Sequence, residues 1–304
     1  MGYTKYLALS QKNVNIFTLV LNNYRISMLE KSKSIVYPSQ IPFENSIHPY
    51  RGIITAIAII GIWAVSLILL MSVNVQETNI IALIAAVLCQ TFCYTGLFIT
   101  AHDAMHGAVY SHNIKLNHSI GSLCLFLYGA LSYKTLLKKH WQHHQHPGTL
   151  NDPDFHDGKH HNLIAWYLHF MKVYWSWKQI IIITITYNSL AYVVHISQIN
   201  LILFWVTPSL LSSLQLFYFG TFEPHSEPIA GYTDSSHTRT IPRPVWLSFL
   251  TCYHFGYHEE HHQFPNVPWW QLPKVHNADS LQLSHVTSDV DKDKQEVQTT
   301  APMQ

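Results

Sequence analysis

Charge is what this sequence has least of. Only 12% of its 304 residues are Asp, Glu, Lys or Arg, against about 25% in an average soluble protein, while 48% are hydrophobic. A chain with that balance cannot cover a core with polar surface, so lipid is expected against part of it. The net charge of +1 leaves no basic field to attract nucleic acid. Cysteine is scarce as well. Cys89, Cys93, Cys124 and Cys252 form no CxxC pair, and three of them fall in apolar runs, so they read as reduced packing residues. The glycines never fall as Gly-x-Gly-x-x-Gly, which excludes a dinucleotide fold; electrons for any redox chemistry must come from a separate protein. The first 47 residues lack the short apolar core and small-residue cleavage site of a secretory signal.

Histidine is what the chain has in excess, 22 residues in all. Three groups of them are spaced for ligation: His102 and His106; His140, His143 and His144; His258, His261 and His262. Residues at i, i+3 and i+4 are neighbours on one face of a helix, so each group can present two or three nitrogens to one point. A lone i, i+4 pair is as often packing as ligation, but no packing requirement asks for repeated imidazole triplets. One zinc takes four ligands. Eight therefore argue for two metals side by side, and imidazole suits iron, copper, zinc or nickel. His48, His112, His118, His156, His160, His161, His169, His195, His237, His276 and His285 show no such grouping and read as polar surface or as support for the ligands. Glu259 and Glu260 occupy the spacer positions of the third group. They are expected to point away from the metals and, like Asp103, Asp152 and Asp154, to receive ligand N–H groups.

Hydropathy places these groups. The uncharged run Gly52 to Val73 is about 33 Å long as a helix, enough for a bilayer core of ~30 Å. After a polar loop, Asn74 to Thr78, the run Asn79 to Ala101 returns and delivers His102. Ser119 to Tyr133 is too short to cross and is expected to be re-entrant or surface-lying. Trp166 to Trp177 is an aromatic, interfacial segment. Gln179 to Ser197 and Asn200 to Gly220 form the third and fourth spans, with Pro208 expected to kink the fourth. Lys and Arg are absent from both short connecting loops, so the positive-inside rule puts both termini and all three histidine groups in the cytoplasm. The expected fold is thus an all-α integral membrane protein. It has four transmembrane helices and a cytoplasmic, histidine-rich, two-metal cap, divided into an N-terminal extension (1–47), a membrane domain (48–272) and a polar C-terminal tail (273–304).

A metal pair at the cytoplasmic ends of membrane helices can meet a lipid-soluble substrate from the bilayer and reductant from the cytosol. Two irons in an imidazole shell can use O2 and two electrons to attack a C–H bond. The histidine groups and the four-span layout resemble the membrane fatty acid desaturase and hydroxylase superfamily. Several segments further resemble the β-carotene ketolases: Ala101-His102-Asp103-Ala104-Met105-His106-Gly107; Pro147-Gly148-Thr149 with Asp152-Pro153-Asp154-Phe155-His156; Phe219-Gly220-Thr221 before Pro224-His225; and Gly256-Tyr257-His258-Glu259-Glu260-His261-His262. Glu223 departs from that pattern, since an apolar residue is expected there. The resemblance implies a di-iron oxygenase that uses O2 to turn the C4 methylene of a β-ionone ring into a ketone, with β-carotene as substrate and a ferredoxin as electron donor. It also implies one further histidine ligand before the third group; His225 fits best by position, and His254 is the second candidate. A carotenoid ring hydroxylase or a fatty acyl desaturase would share the site. A metal transporter would need ionisable residues within its spans, and only His195 qualifies.

Overall fold

The computed structural model describes residues 50–228, 231–232 and 236–278. The expected N-terminal extension, and the tail from residue 279 onward, lie outside them. Among the described residues all regular structure is helical. Helix α1 (Arg51–Met71) and helix α2 (Ile80–Met105) form an antiparallel pair joined by a polar loop. Asn79 caps α2 by accepting a hydrogen bond from the Ile81 amide at 2.8 Å, as Asx residues do at helix starts. At its other end the chain leaves α2 through His106 and Gly107. Gly107 has φ +74°, the left-handed turn that glycine supplies after a helix. His106, one turn beyond His102 on the helix, sets its ring centre 5.2 Å from that of His102 before the chain turns away.

Helix α3 (Ile114–Gly129) and helix α4 (Tyr133–Gln145) are bent against each other by 103°. Ala130, at φ 55°, ends α3, and Ser132 starts α4 by receiving the Thr135 amide. The bend turns α4 back towards α2 and carries the second histidine group with it. Helix α5 (Leu163–Tyr174) and helix α6 (Trp177–Asn188) follow. Helix α7 (Gln198–His225) is long and continuous, but it contains two π-helical turns, Ile202–Val206 and Tyr218–Phe222. Each precedes a proline, Pro208 and Pro224. Proline has no N–H to give the preceding turn, and a π turn absorbs the mismatch without breaking the helix, so the expected kink at Pro208 takes this form. Short helices α8 (Val245–Cys252) and α9 (His258–Gln263) complete the site. Residues 272–278 are helical and bury Val275.

Helices α1, α2 and α7 are long and apolar enough to cross a membrane, and the α3–α4 pair makes a fourth candidate if the bent pair counts as one span. The third expected span, Gln179 to Ser197, is shorter than its hydropathy suggested. Its helix runs from Trp177 through a π turn at Ser189–Val193 and stops, because His195 adopts a left-handed φ of 61°. At ~1.5 Å per residue the stretch is about 25 Å long, near the lower limit for spanning.

Helix α2 is divided along its length. On α2 the residues before Gln90 are largely exposed, and Ile80, Ile81, Ile84 and Leu88 face outward. From Gln90 onward Tyr94, Leu97, Ile99 and Ala101 are fully buried against α3, α4, α7 and α8. Thr95 bonds Ser212 at 2.9 Å and Gln215 at 2.6 Å across the α2–α7 contact. At the opposite end Asn200 donates to the carbonyls of Leu70, Met71 and Val73. The core therefore sits at the ends of the helices that carry histidine.

Candidate metal centre

Nine histidines converge at that end. His102 and His106 come from the C-terminus of α2, His140, His143 and His144 from α4, His225 from the end of α7, and His258, His261 and His262 from α9. Ligand nitrogens of His102, His106, His140 and His261 all lie within 4.8 Å of one another, and so do those of His143, His225, His258 and His262. His144 sits between the sets. Its Nε2 is 3.2 Å from that of His140 and 3.1 Å from that of His261, and its ring centre is 4.3 Å from that of His262. His254, the other candidate for the additional position, belongs to neither set; its ring lies against Trp269 and Phe249. One turn of α4 thus serves both sets, His140 joining the first and His143 the second.

The donor arrangement fits metal ions. The Nε2 atoms of His106 and His140 are 2.7 Å apart, those of His225 and His258 2.9 Å, and those of His258 and His262 3.2 Å. With metal–nitrogen bonds of about 2.1 Å, two ligands at a right angle lie about 3.0 Å apart. Both ring nitrogens of His102 are buried without a protein partner, a cost of about 1–3 kcal/mol per group unless something occupies the lone pair. Burial, reinforced by neighbouring imidazoles, holds His106, His258 and His262 well below the usual imidazole range, and burial lowers His261 to about 3. These rings are neutral, the state a metal ligand requires.

Supporting contacts fix several rings. Asp152 accepts from His143 Nδ1 with both oxygens, at 3.0 and 2.9 Å, and is itself held by the amides of Gly148 at 2.9 Å and Asp154 at 2.8 Å. Burial would raise Asp152, but its contact and hydrogen bond with His143 and the hydrogen bond from the Asp154 amide hold it below the usual carboxylate range. Asp154 lies 3.8 Å from the same nitrogen and receives the Tyr174 hydroxyl. Asp103 stops 3.6 Å from His102 Nδ1 and instead accepts the Trp269 amide at 3.1 Å. Glu260 is buried and does point away from the metals, but it receives no ligand N–H. Its partners are the Thr240 hydroxyl and His276 Nδ1, the latter at 2.5 Å.

Three contributions had no sequence signal. His225 Nδ1 donates to the backbone carbonyl of His237 at 3.0 Å, leaving Nε2 for a metal. Phe255 packs its ring 4.8 Å from His102 and 5.4 Å from His258, in a space kept open by Gly220, where a Cβ would come within 2.3 Å of it. Trp141 packs across His106 with the ring centres 4.8 Å apart. A carbonyl carries no residue signature, and the two aromatics look like any others in an aromatic-rich chain.

Comparison with known proteins places this site in context. A family model described as fatty acid desaturase matches residues 78–190 and 167–286. A zeaxanthin 4-ketolase of Chlamydomonas reinhardtii is 38% identical over 248 residues, covering 75% of this chain and 55% of that protein. A β-carotene ketolase of Paracoccus sp. (strain PC1) is 41% identical over 194 residues, 62% of this chain and 78% of that protein. A β-carotene 4-ketolase of Protosiphon botryoides is 43% identical over 188 residues, 60% of this chain and 48% of that protein. The chain thus spans about half the length of these two algal relatives.

Proposed function

Because this chain belongs to the fatty acid desaturase family, we propose that it is a membrane di-iron oxygenase that converts the C4 methylene of the β-ionone rings of β-carotene to a ketone. The observation that carries the reading is the similarity to ketolases at 38% to 43% identity, beside a family match at residues 78–190 and 167–286 that includes all nine converging histidines. His102, His106, His140 and His261 would hold one iron and His143, His225, His258 and His262 the other, with His144 between them. The irons supply the oxidising chemistry, drawing on O2 and external electrons.

The chain's own residues do the rest. Asp152 fixes the His143 tautomer and the His237 carbonyl fixes that of His225, so that each Nε2 faces inward. Phe255 closes one wall with an apolar face, which keeps water from part of the centre. The exposed apolar halves of α1, α2 and α6 dissolve the protein in the lipid that also dissolves its substrate. We place the 177–193 helix as the third span, so that α7 returns the chain to its starting side and both termini and the metal centre lie in the cytoplasm, where a ferredoxin can deliver electrons.

C4 is allylic, so its hydrogens are weaker than those of an ordinary alkyl carbon. A first oxygenation gives an alcohol and a second at the same carbon a geminal diol, which loses water to the ketone. Each oxygenation takes up one O2, two electrons and two protons and releases one water. Expression in cells that accumulate β-carotene should give the one-ring ketone echinenone first and the two-ring ketone canthaxanthin later. A C3 alcohol such as zeaxanthin with no ketone would transfer the chain to the ring hydroxylases, and desaturated fatty acids with unchanged carotenoids would remove the substrate class.

A further inference from the structure

Glu223, unexpected in its place, is paired. Both of its oxygens accept from Arg243 Nη2, at 2.6 and 2.7 Å, with the side chains only 17% and 18% exposed. The guanidinium is centred 5.1 Å from the Phe219 ring, and a Cβ built on Gly256 would stand 3.3 Å from Nη1. Arg243 therefore touches α7 two residues before His225 and the approach to α9 two residues before His258. Those histidines meet through nitrogens 2.9 Å apart, and neither is joined to the other by sequence. The segment 236–243 runs between them in the same way. The His237 carbonyl takes His225 Nδ1, Arg239 Nε donates to the Glu223 carbonyl at 3.1 Å, Thr240 bonds Glu260, and the Ile241 amide donates to the Gly256 carbonyl at 3.1 Å.

We propose that Arg243, clamped by Glu223, is a positioning residue that sets the separation of His225 and His258 and thereby the affinity of the second metal set alone. The planar fork matters, because one guanidinium must meet a carboxylate, an aromatic face and a backbone at once; lysine keeps the charge but offers no fork. The first set is built instead from α2, α4 and His261. This inference rests on the two-metal reading.

The test is iron release. Purified full-length protein is loaded anaerobically with Fe(II), iron per chain is measured, and its loss to a chelator is followed together with the melting temperature. Wild type should carry two irons. Arg243→Met should release one of them about tenfold faster, the usual scale for losing support behind a ligand, and leave the other unchanged. Arg243→Lys should fall between, and Glu223→Gln should move in the same direction. Release of both irons at the wild-type rate from Arg243→Met would overturn the clamp. So would equal acceleration of both with a lowered melting temperature, which would make the pair a general fold contact. A wild type that holds no iron would overturn the two-metal reading and the clamp together, so the two failures are distinguishable.

Discussion

Asp152 offers the sharpest test of the metal centre. Its carboxylate receives three donors, His143 Nδ1, the Gly148 amide and the Asp154 amide, and it is 6% exposed. In Asp152→Asn one of the two oxygens becomes an NH2 group. If the remaining oxygen keeps His143, the NH2 group must face one of the backbone amides, leaving a buried donor unpaired at about 1–3 kcal/mol. In either orientation His143 keeps one neutral amide oxygen in place of two carboxylate oxygens, a weaker acceptor to fix its tautomer and strengthen its other nitrogen as a ligand. Loss of such support weakens metal binding by about 10–100-fold, or about 1.4–2.8 kcal/mol.

The effect should be asymmetric, because His143 belongs to only one of the four-imidazole sets. Chelator competition on anaerobically loaded protein should show one iron bound as in wild type and one weakened within that range. The melting temperature of the metal-free protein reports the backbone cost separately. Two irons retained within about twofold of wild-type affinity would refute the assignment of Asp152 as the support of His143. Equal weakening of both would refute the division into two sets.

The remaining predictions use other parts of the molecule. His225→Ala should lose one iron and all ketone formation, whereas His254→Ala should keep two irons, because its ring packs on Trp269 away from both sets; the reverse ranking would make His254 the ligand. Cysteines introduced as Glu77→Cys or Ser197→Cys should react with an impermeant thiol reagent added outside intact cells, while Lys159→Cys and Lys274→Cys should react only after lysis. Labelling of Lys159→Cys in intact cells would break the proposed orientation.

Much of the centre was legible because its information is local. The spacing of His140, His143 and His144, and of His258, His261 and His262, needs only the pitch of a helix to be read; the further ligand came from the family resemblance, with His225 preferred to His254 by its position after the last apolar run. The division of ligands between sets was not legible. His140 and His143 lie one turn apart on α4, yet which set each joins depends on how α4 lies against α9, a relation fixed by the turn at Ala130 to Ser132 and by packing. Glu260 was placed correctly on the outer side of its turn but given the wrong partner. The Thr240 hydroxyl and His276 approach from segments with no periodicity of their own. The third apolar run ended early for a conformational reason, the left-handed His195, that hydropathy does not encode.

Glu223 shows how an exception to a pattern can carry more than the pattern. An apolar residue there would satisfy the helix and the lipid equally well, and a carboxylate at the end of a membrane helix costs desolvation unless it is paired. Its retention is explained only by the partner it finds, and Arg243 in turn reaches the backbone before the third histidine group. The lipid-facing halves of α1, α2 and α7 can exchange one aliphatic residue for another with little effect, because any apolar side chain dissolves equally well there. The histidine-bearing ends have less freedom, since the meeting of His225 and His258 depends on how α7 lies against α9. Replacing a ligand should therefore leave membrane insertion intact while abolishing metal binding: the two depend on opposite ends of the same helices.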